Sequence, residues 1–223
     1  MRVMIEVGPK AKKVVAVAPD WPGLERGAKT GGAAVERLVA YFPRYARIAS
    51  LAGMDVDFAT AVTTTIDVVE QYPGVGSTDF WGISFAFSAI DKQEMSSKDL
   101  ARELGLMQAC WAFFDDVRSR VSAEMQAGPR GGGRSRSRIV GHVVHTEQDW
   151  AKKLGFVHMS WRDADEEGLK THREAYCAAI RAFHAQGKMA RTWPLRYLIR
   201  HTAYHALDHA WEMEDKDLTG NQA

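Results

Sequence analysis

The chain has 223 residues, a formal net charge of +1 and an ordinary share of apolar residues. That length suits one large domain or two small ones, and the balanced charge gives no support to nucleic-acid binding. No run approaches the ~18 apolar residues of a membrane span, and the first ten residues, MRVMIEVGPK, lack the apolar core of a secretory signal. The sequence therefore predicts a cytoplasmic protein with neither a membrane nor a nucleic acid as partner.

The first part of the chain carries an α/β pattern. Two β-branched runs, RVMIEVG and KKVVAVAP, flank the turn Gly8-Pro9-Lys10 and predict two strands. The turn-rich run DWPGLERGAKTGG follows, and AAVERLVAYFPRYARIASLAG then has apolar residues at helical intervals, with Pro43 marking a kink or break. TAVTTTIDVVEQY returns to β-branched alternation, and residues 73–92 are predicted to form an irregular connection.

After Ser96 the pattern is helical throughout. Four stretches with apolar stripes begin near Ser96, Ile139, Asp163 and Trp193, and Gly- or Pro-containing breaks separate them. Four helices joined by loops predict a four-helix bundle. The predicted fold class is α+β, with a small N-terminal α/β domain over residues 1–95 followed by a four-helix bundle over residues 96–223.

Histidine is confined to the C-terminal part of the chain. All eight histidines follow residue 141, and three of them, His201, His205 and His209, recur at every fourth position of the fourth predicted helix. At about 100° per residue, neighbours in this series lie on one side of the helix, so either adjacent pair can share a metal ion. Three side chains spread over two turns of one helix converge poorly, so a third ligand has to come from another helix. The same spacing also occurs on solvated helix faces, and both interpretations are open at this point.

The second predicted helix offers a third ligand. His142 lies about 60° from Ile139, at the edge of the apolar face. Glu147 falls inside that face, where a carboxylate needs a partner because an unpaired buried charge is costly. It could hydrogen-bond a ligand histidine, pair with an arginine or lean out at a domain interface. Glu147, Asp208 and Glu212 are the candidates for supporting a ligand histidine or for acting as catalytic acid or base.

Two motifs of the helical part are shared with a known superfamily. They are RIVGHVVHTEQDWAKKLGF in the second predicted helix and YHALDHAWEMED in the fourth. Residues 96–218 resemble the DinB-like superfamily of four-helix bundles, which also contains thiol-dependent S-transferases and relatives of maleylpyruvate isomerase. The resemblance implies a divalent ion, zinc or nickel, on one histidine of the second helix and an H-x-x-x-H pair of the fourth, here His142 with His205 and His209. His201 gives an alternative register with His205, and AWEMED replaces the superfamily's common glycine-glutamine ending.

The reaction is an expectation drawn from this resemblance. A metal ion on three neutral imidazoles is a net positive centre that lowers the pKa of bound water or of a bound thiol. We expect either S-transfer from a low-molecular-weight thiol to a small-molecule substrate, which the resemblance favours, or metal-dependent hydrolysis. The competing hypothesis is a non-catalytic structural or ligand-binding module whose N-terminal domain binds a partner or forms a homodimer.

Residues 1–50 are similar to the HicB-like antitoxin segment. The similarity is carried by VAPDWPGLERGAKTGGAAVERLVAY, with its strand, Pro-Gly turn, GAKT step and helix. The sequence shows no separate pair of DNA-binding helices and no basic tail. The similarity is therefore a hint about fold, and an antitoxin role is a third hypothesis.

Overall fold

The protein is described here from a computed structural model that covers residues 1–128, 133–155 and 166–219. Within these ranges the chain is a mixture of one four-stranded sheet and eight α-helices. The strands are β1 (Arg2–Val7), β2 (Val14–Val17), β3 (Glu25–Ala28) and β4 (Asp67–Pro73). The helices are α1 (Gly31–Ala40), α2 (Phe42–Leu51), α3 (Asp55–Val62), α4 (Gly76–Trp81), α5 (Ser97–Arg120), α6 (Arg136–Ala151), α7 (Glu166–Ala185) and α8 (Leu195–Asp215). The predicted start of the third long helix, near residue 163, lies outside these ranges.

The sheet has the strand order β3-β2-β1-β4. β1 pairs antiparallel with β2, and β2 pairs antiparallel with β3, so the predicted strand–turn–strand unit is confirmed. β4 runs parallel to β1, and helices α1 to α3 make the crossover that a parallel pair requires. The prediction missed β3, because four residues inside a turn-rich run show no alternation.

The β-branched run TAVTTTIDVVEQY is only partly a strand. Its first residues, Thr60–Val62, belong to α3, and β4 begins at Asp67. Pro43 lies in the first turn of α2, which confirms the predicted break between two helices. Of the helices described, none has the length and apolar content needed to cross a membrane.

The apolar core is continuous across residue 95, where the sequence places a domain boundary. One cluster of buried side chains contains Val3 of the sheet and Leu38 of α1 together with Met107 of α5 and Leu198 of α8. α8 packs along α5 and also contacts α6. The structure shows a mixed α/β chain, and its division into a separate α/β domain and a four-helix bundle stays a prediction.

A buried arginine of α8 contacts both the sheet and the segment that follows α4. Arg200 of α8 donates from Nε and Nη2 to the Asp91 carboxylate at 2.8 and 2.9 Å, and its Nη1 lies 3.3 Å from Glu25 Oε2 on β3. None of these three side chains is more than 2% exposed. Burial raises the pKa of Glu25 to about 8, so its contact with Arg200 is a hydrogen bond at neutral pH, and Asp91 is the carboxylate whose charge pairs with Arg200.

Candidate metal centre

The three predicted ligand histidines meet where α6 contacts α8. His142 projects from α6, and His205 and His209 stand one turn apart on α8. Their ligand nitrogens all lie within 4.8 Å of one another, and Nε2 of His205 is 3.1 Å from Nε2 of His142. His142 is exposed and the other two are half-buried. Solvent therefore reaches the cluster at His142.

These separations suit a single metal ion. Two imidazole nitrogens bound tetrahedrally at ~2.0–2.1 Å to a zinc ion lie about 3.3 Å apart. The contact of 3.1 Å between His142 and His205 is close to that value. Without a cation, one of these facing nitrogens has to donate a proton to the other, whereas a shared cation accepts both lone pairs. In the part of the chain that the structure describes, no second group of histidine, cysteine or carboxylate side chains converges in this way.

Two of the imidazoles are held in the neutral form. Burial, together with His209 and Arg134, lowers the pKa of His142. Burial, together with His209 and His142, holds the pKa of His205 well below its ordinary value. Neutral imidazole is the form that binds a metal, so His142 and His205 are competent ligands at neutral pH.

Glu212 supports the third histidine. Its Oε2 lies 2.7 Å from Nδ1 of His209, which leaves Nε2 of that ring free to bind a metal. Arg134 Nη2 and Lys216 Nζ also donate to this carboxylate, at 2.6 and 2.7 Å. Burial opposes ionisation here, but the hydrogen bonds from His209 and Lys216 and the charge of Arg134 prevail and lower the pKa of Glu212 to about 2. Glu212 therefore has the position predicted for a carboxylate that orients a ligand histidine.

His205 is oriented by packing. Its Nδ1 is buried and has no hydrogen-bond partner among the residues described. The indole of Trp150 lies against its ring, with 5.2 Å between the ring centroids. The bulk of Trp150 therefore limits the rotation of the His205 ring. A hydrogen bond to Nδ1 would otherwise have this role.

His201 lies outside the cluster. Its side chain is buried, and its ring stacks on Tyr197 with a centroid distance of 5.0 Å and 16° between the planes. Burial lowers the pKa of His201 to about 3. The structure therefore brings His142 together with the pair His205 and His209, and the alternative register through His201 does not converge.

The other two carboxylates singled out from the sequence have arginine partners. Glu147 is buried and accepts from Nε and Nη2 of Arg173 at 3.1 and 2.9 Å. Of the three roles that the sequence leaves open for Glu147, pairing with an arginine is the one found. Asp208 forms an ion pair with Arg26 at 3.2 Å. Among the contacts described, none joins Glu147 or Asp208 to the three histidines.

Arg134 and Trp150 belong to the site although the sequence does not single them out. Arg134 lies in a glycine- and arginine-rich segment whose residues 129–132 are outside the described ranges. Its contact with Glu212 depends on the path of the chain before α6, which residue spacing does not determine. Trp150 follows His142 by about two turns of the same helix. This spacing is the sequence feature that could have identified Trp150 as a neighbour of the site.

Known proteins give no further guide to this site. Comparison of the chain with protein-family models, with curated proteins and with solved structures found no match.

Proposed function

We propose that this is a DinB-like protein that binds one divalent metal ion through His142, His205 and His209. The convergence of these three side chains from two helices, with their ligand nitrogens within 4.8 Å, is the observation that carries the proposal. The neutral imidazoles and the Glu212 hydrogen bond support it. Imidazole ligands suit zinc and nickel, so one of these is the expected ion.

We further propose that the reaction is S-transfer from a low-molecular-weight thiol to a small-molecule electrophile. A divalent ion, when bound, supplies a positive centre that lowers the pKa of a thiol or of water beside it. The three histidines contribute no negative charge, and Glu212 holds one of them in the required tautomer. His142 is exposed, so the proposal has the small-molecule substrate approach from its side of the cluster. The proposal places the protein in the cytoplasm, where reduced thiols persist.

Metal analysis of protein purified without a histidine tag tests the site. We expect wild-type protein to carry about one divalent ion per chain, as a site with three imidazole ligands retains its ion through purification. His142→Ala, His205→Ala and His209→Ala should each lose most of it. His145→Ala is the matched control, because His145 is exposed on the same helix. Substoichiometric metal in wild-type protein, with uptake unaltered in the three variants, would rule out the site.

A panel of cellular thiols, each assayed with an electrophile in the presence and absence of added metal, tests the reaction. We expect conjugation that depends on the metal and is lost in His205→Ala. Equal rates with and without metal would eliminate S-transfer. Metal-dependent cleavage of ester or amide substrates, in the absence of any thiol, would favour the hydrolase alternative.

A further inference from the structure

Two aromatic side chains at the end of α4 project into solvent. Phe80 is 72% exposed and Trp81 is 63% exposed, and Val75, immediately before the helix, is 44% exposed. The rings of Phe80 and Trp81 pack edge to face against each other, with 4.5 Å between their centroids. Adjacent apolar side chains with this degree of exposure are typical of an interaction surface.

Three lysines belong to a turn that is hydrogen-bonded to the helix carrying these rings. They are on the turn between β1 and β2, whose backbone N–H groups at Lys10, Lys12 and Lys13 donate to the carboxylate of Asp79 at 2.7, 2.8 and 3.2 Å. Asp79 directly precedes Phe80, so the turn is fastened to the helix that ends in the aromatic pair. Within the described ranges, none of the three ammonium groups forms an ion pair. We name Lys10, Lys12, Lys13, Phe80 and Trp81 the aromatic–lysine patch.

Two glycines allow the fold to hold this patch in place. A Cβ atom on Gly8 would lie 2.2 Å from Asp79 Oδ1, and one on Gly27 would lie 2.1 Å from the carbonyl oxygen of Gly82. Both positions therefore need glycine so that α4 and the turn after it can press against the sheet. The patch is thus presented on a preorganised surface, which reduces the entropy lost when it binds.

We infer, against the sequence-based expectation of no membrane partner, that the aromatic–lysine patch binds an anionic phospholipid surface. Phenyl and indole side chains partition to the interface between headgroups and acyl chains, and lysines are attracted to anionic headgroups. The rings protrude, which suits a flat partner. A second copy of the chain, docked through the same patch, would place lysines against lysines. The edge-to-face packing of the rings, with 80° between their planes, does not form the parallel stacking platform that single-stranded nucleic acids use.

Co-sedimentation of the full chain with vesicles tests this inference. We expect several-fold more binding to vesicles of mixed phosphatidylcholine and phosphatidylserine than to phosphatidylcholine alone, with a loss on adding salt. Lys12→Gln should weaken the partition coefficient about fivefold, as expected for one lysine near an anionic surface. The double variant Phe80→Ser, Trp81→Ser should reduce binding to background. In wild-type protein, the emission of Trp81 should shift to shorter wavelength when vesicles are added.

Matched controls are available at exposed positions elsewhere. Val56→Ser removes an apolar side chain that is 71% exposed on α3, and Lys98→Gln removes an exposed lysine of α5; both should bind vesicles as wild-type protein does. Lys10→Gln with Lys12→Gln changes only exposed side chains and adds no negative charge beside Asp79, so it tests the charge requirement. Equal binding to both kinds of vesicle, or unchanged binding by the patch variants, overturns the inference. Tighter binding to a single-stranded oligonucleotide, lost in the same variants, overturns the lipid assignment.

Discussion

His209 and Glu212 form a hydrogen-bonded pair on one turn of α8, with Nδ1 of the imidazole 2.7 Å from Oε2 of the carboxylate. The hydrogen bond occupies Nδ1 of the ring and leaves Nε2 as the nitrogen that can bind a metal. Because a carboxylate on the outer nitrogen also raises the basicity of the inner one, Glu212 should strengthen metal binding without touching the ion.

Removing that carboxylate should weaken the site. We expect Glu212→Ala to lower metal affinity by about 10- to 100-fold, and Glu212→Gln, which keeps an acceptor oxygen, to recover part of the loss. Asp208→Asn is the control, since Asp208 is a carboxylate of the same helix that pairs with Arg26. Competition with a chromogenic chelator measures all three affinities. Identical affinities in wild-type protein and Glu212→Ala would show that the pair has no part in metal binding.

Glu147 should matter for stability and not for the metal. Glu147→Ala leaves buried Arg173 with Asp115 as its remaining carboxylate partner, so we expect it to lower the free energy of unfolding, but by less than the about 3–5 kcal/mol of a fully unpaired buried charge. Urea denaturation measures the change, and chelator competition on the folded protein should give the wild-type affinity. Glu147→Leu combined with Arg173→Met should cost less than Glu147→Ala. Lost metal affinity in folded Glu147→Ala would show instead that this carboxylate acts on the site.

His201 should make the protein sensitive to acid. Its folded-state pKa is about 3, below the ordinary 6.5, so between these values the unfolded chain binds a proton that the folded chain does not. Stability therefore falls as pH drops through this range, by about 2 kcal/mol between about pH 7 and about pH 5. In His201→Phe, whose ring can keep the stacking on Tyr197, that part of the loss should vanish. Urea unfolding at both pH values measures the loss in the free energy of unfolding. Equal losses in wild-type protein and His201→Phe would show that His201 does not cause the acid sensitivity.

Trp150 should report metal binding optically. Its ring centroid is 5.2 Å from that of His205, and an open-shell ion such as nickel quenches indole emission at such short range. Titration of the metal-free protein with nickel should quench part of the tryptophan fluorescence, saturating at about one ion per chain. Trp150→Phe should lack that quenched part of the fluorescence. Chelator competition should show that this variant still binds the metal. Undiminished quenching in Trp150→Phe would place the ion elsewhere.

The sequence predicts those features that a single helix or strand determines by itself. Alternation and turn residues are sufficient for β1 and β2, and the four-residue spacing is sufficient for the faces of α8 that carry His205 and His209. The phase of His142 on its helix marks it as the candidate for a third ligand. These properties are local, so residue spacing predicts them.

Contacts between different helices or strands are harder to predict from the sequence. The sequence shows that Glu147 needs a partner, but Arg173 is one of many arginines in the chain. Only the placement of α7 beside α6 determines that Arg173 is this partner. The strand β3 is stabilised by its pairing with β2, because its own four residues have no clear strand pattern. The same limit applies to Arg134, whose contact with Glu212 is set by the chain path before α6.

Arg200 and the ligand pair share one helix, and this has a thermodynamic consequence. Arg200 joins α8 to β3 and Asp91, and His205 lies five residues further along the same helix. A ligand that binds only the folded state stabilises everything that must be folded for it to bind. Filling the histidine site should therefore slow hydrogen exchange in strand β3, which contacts the same helix through Glu25 with Arg200 and through Arg26 with Asp208.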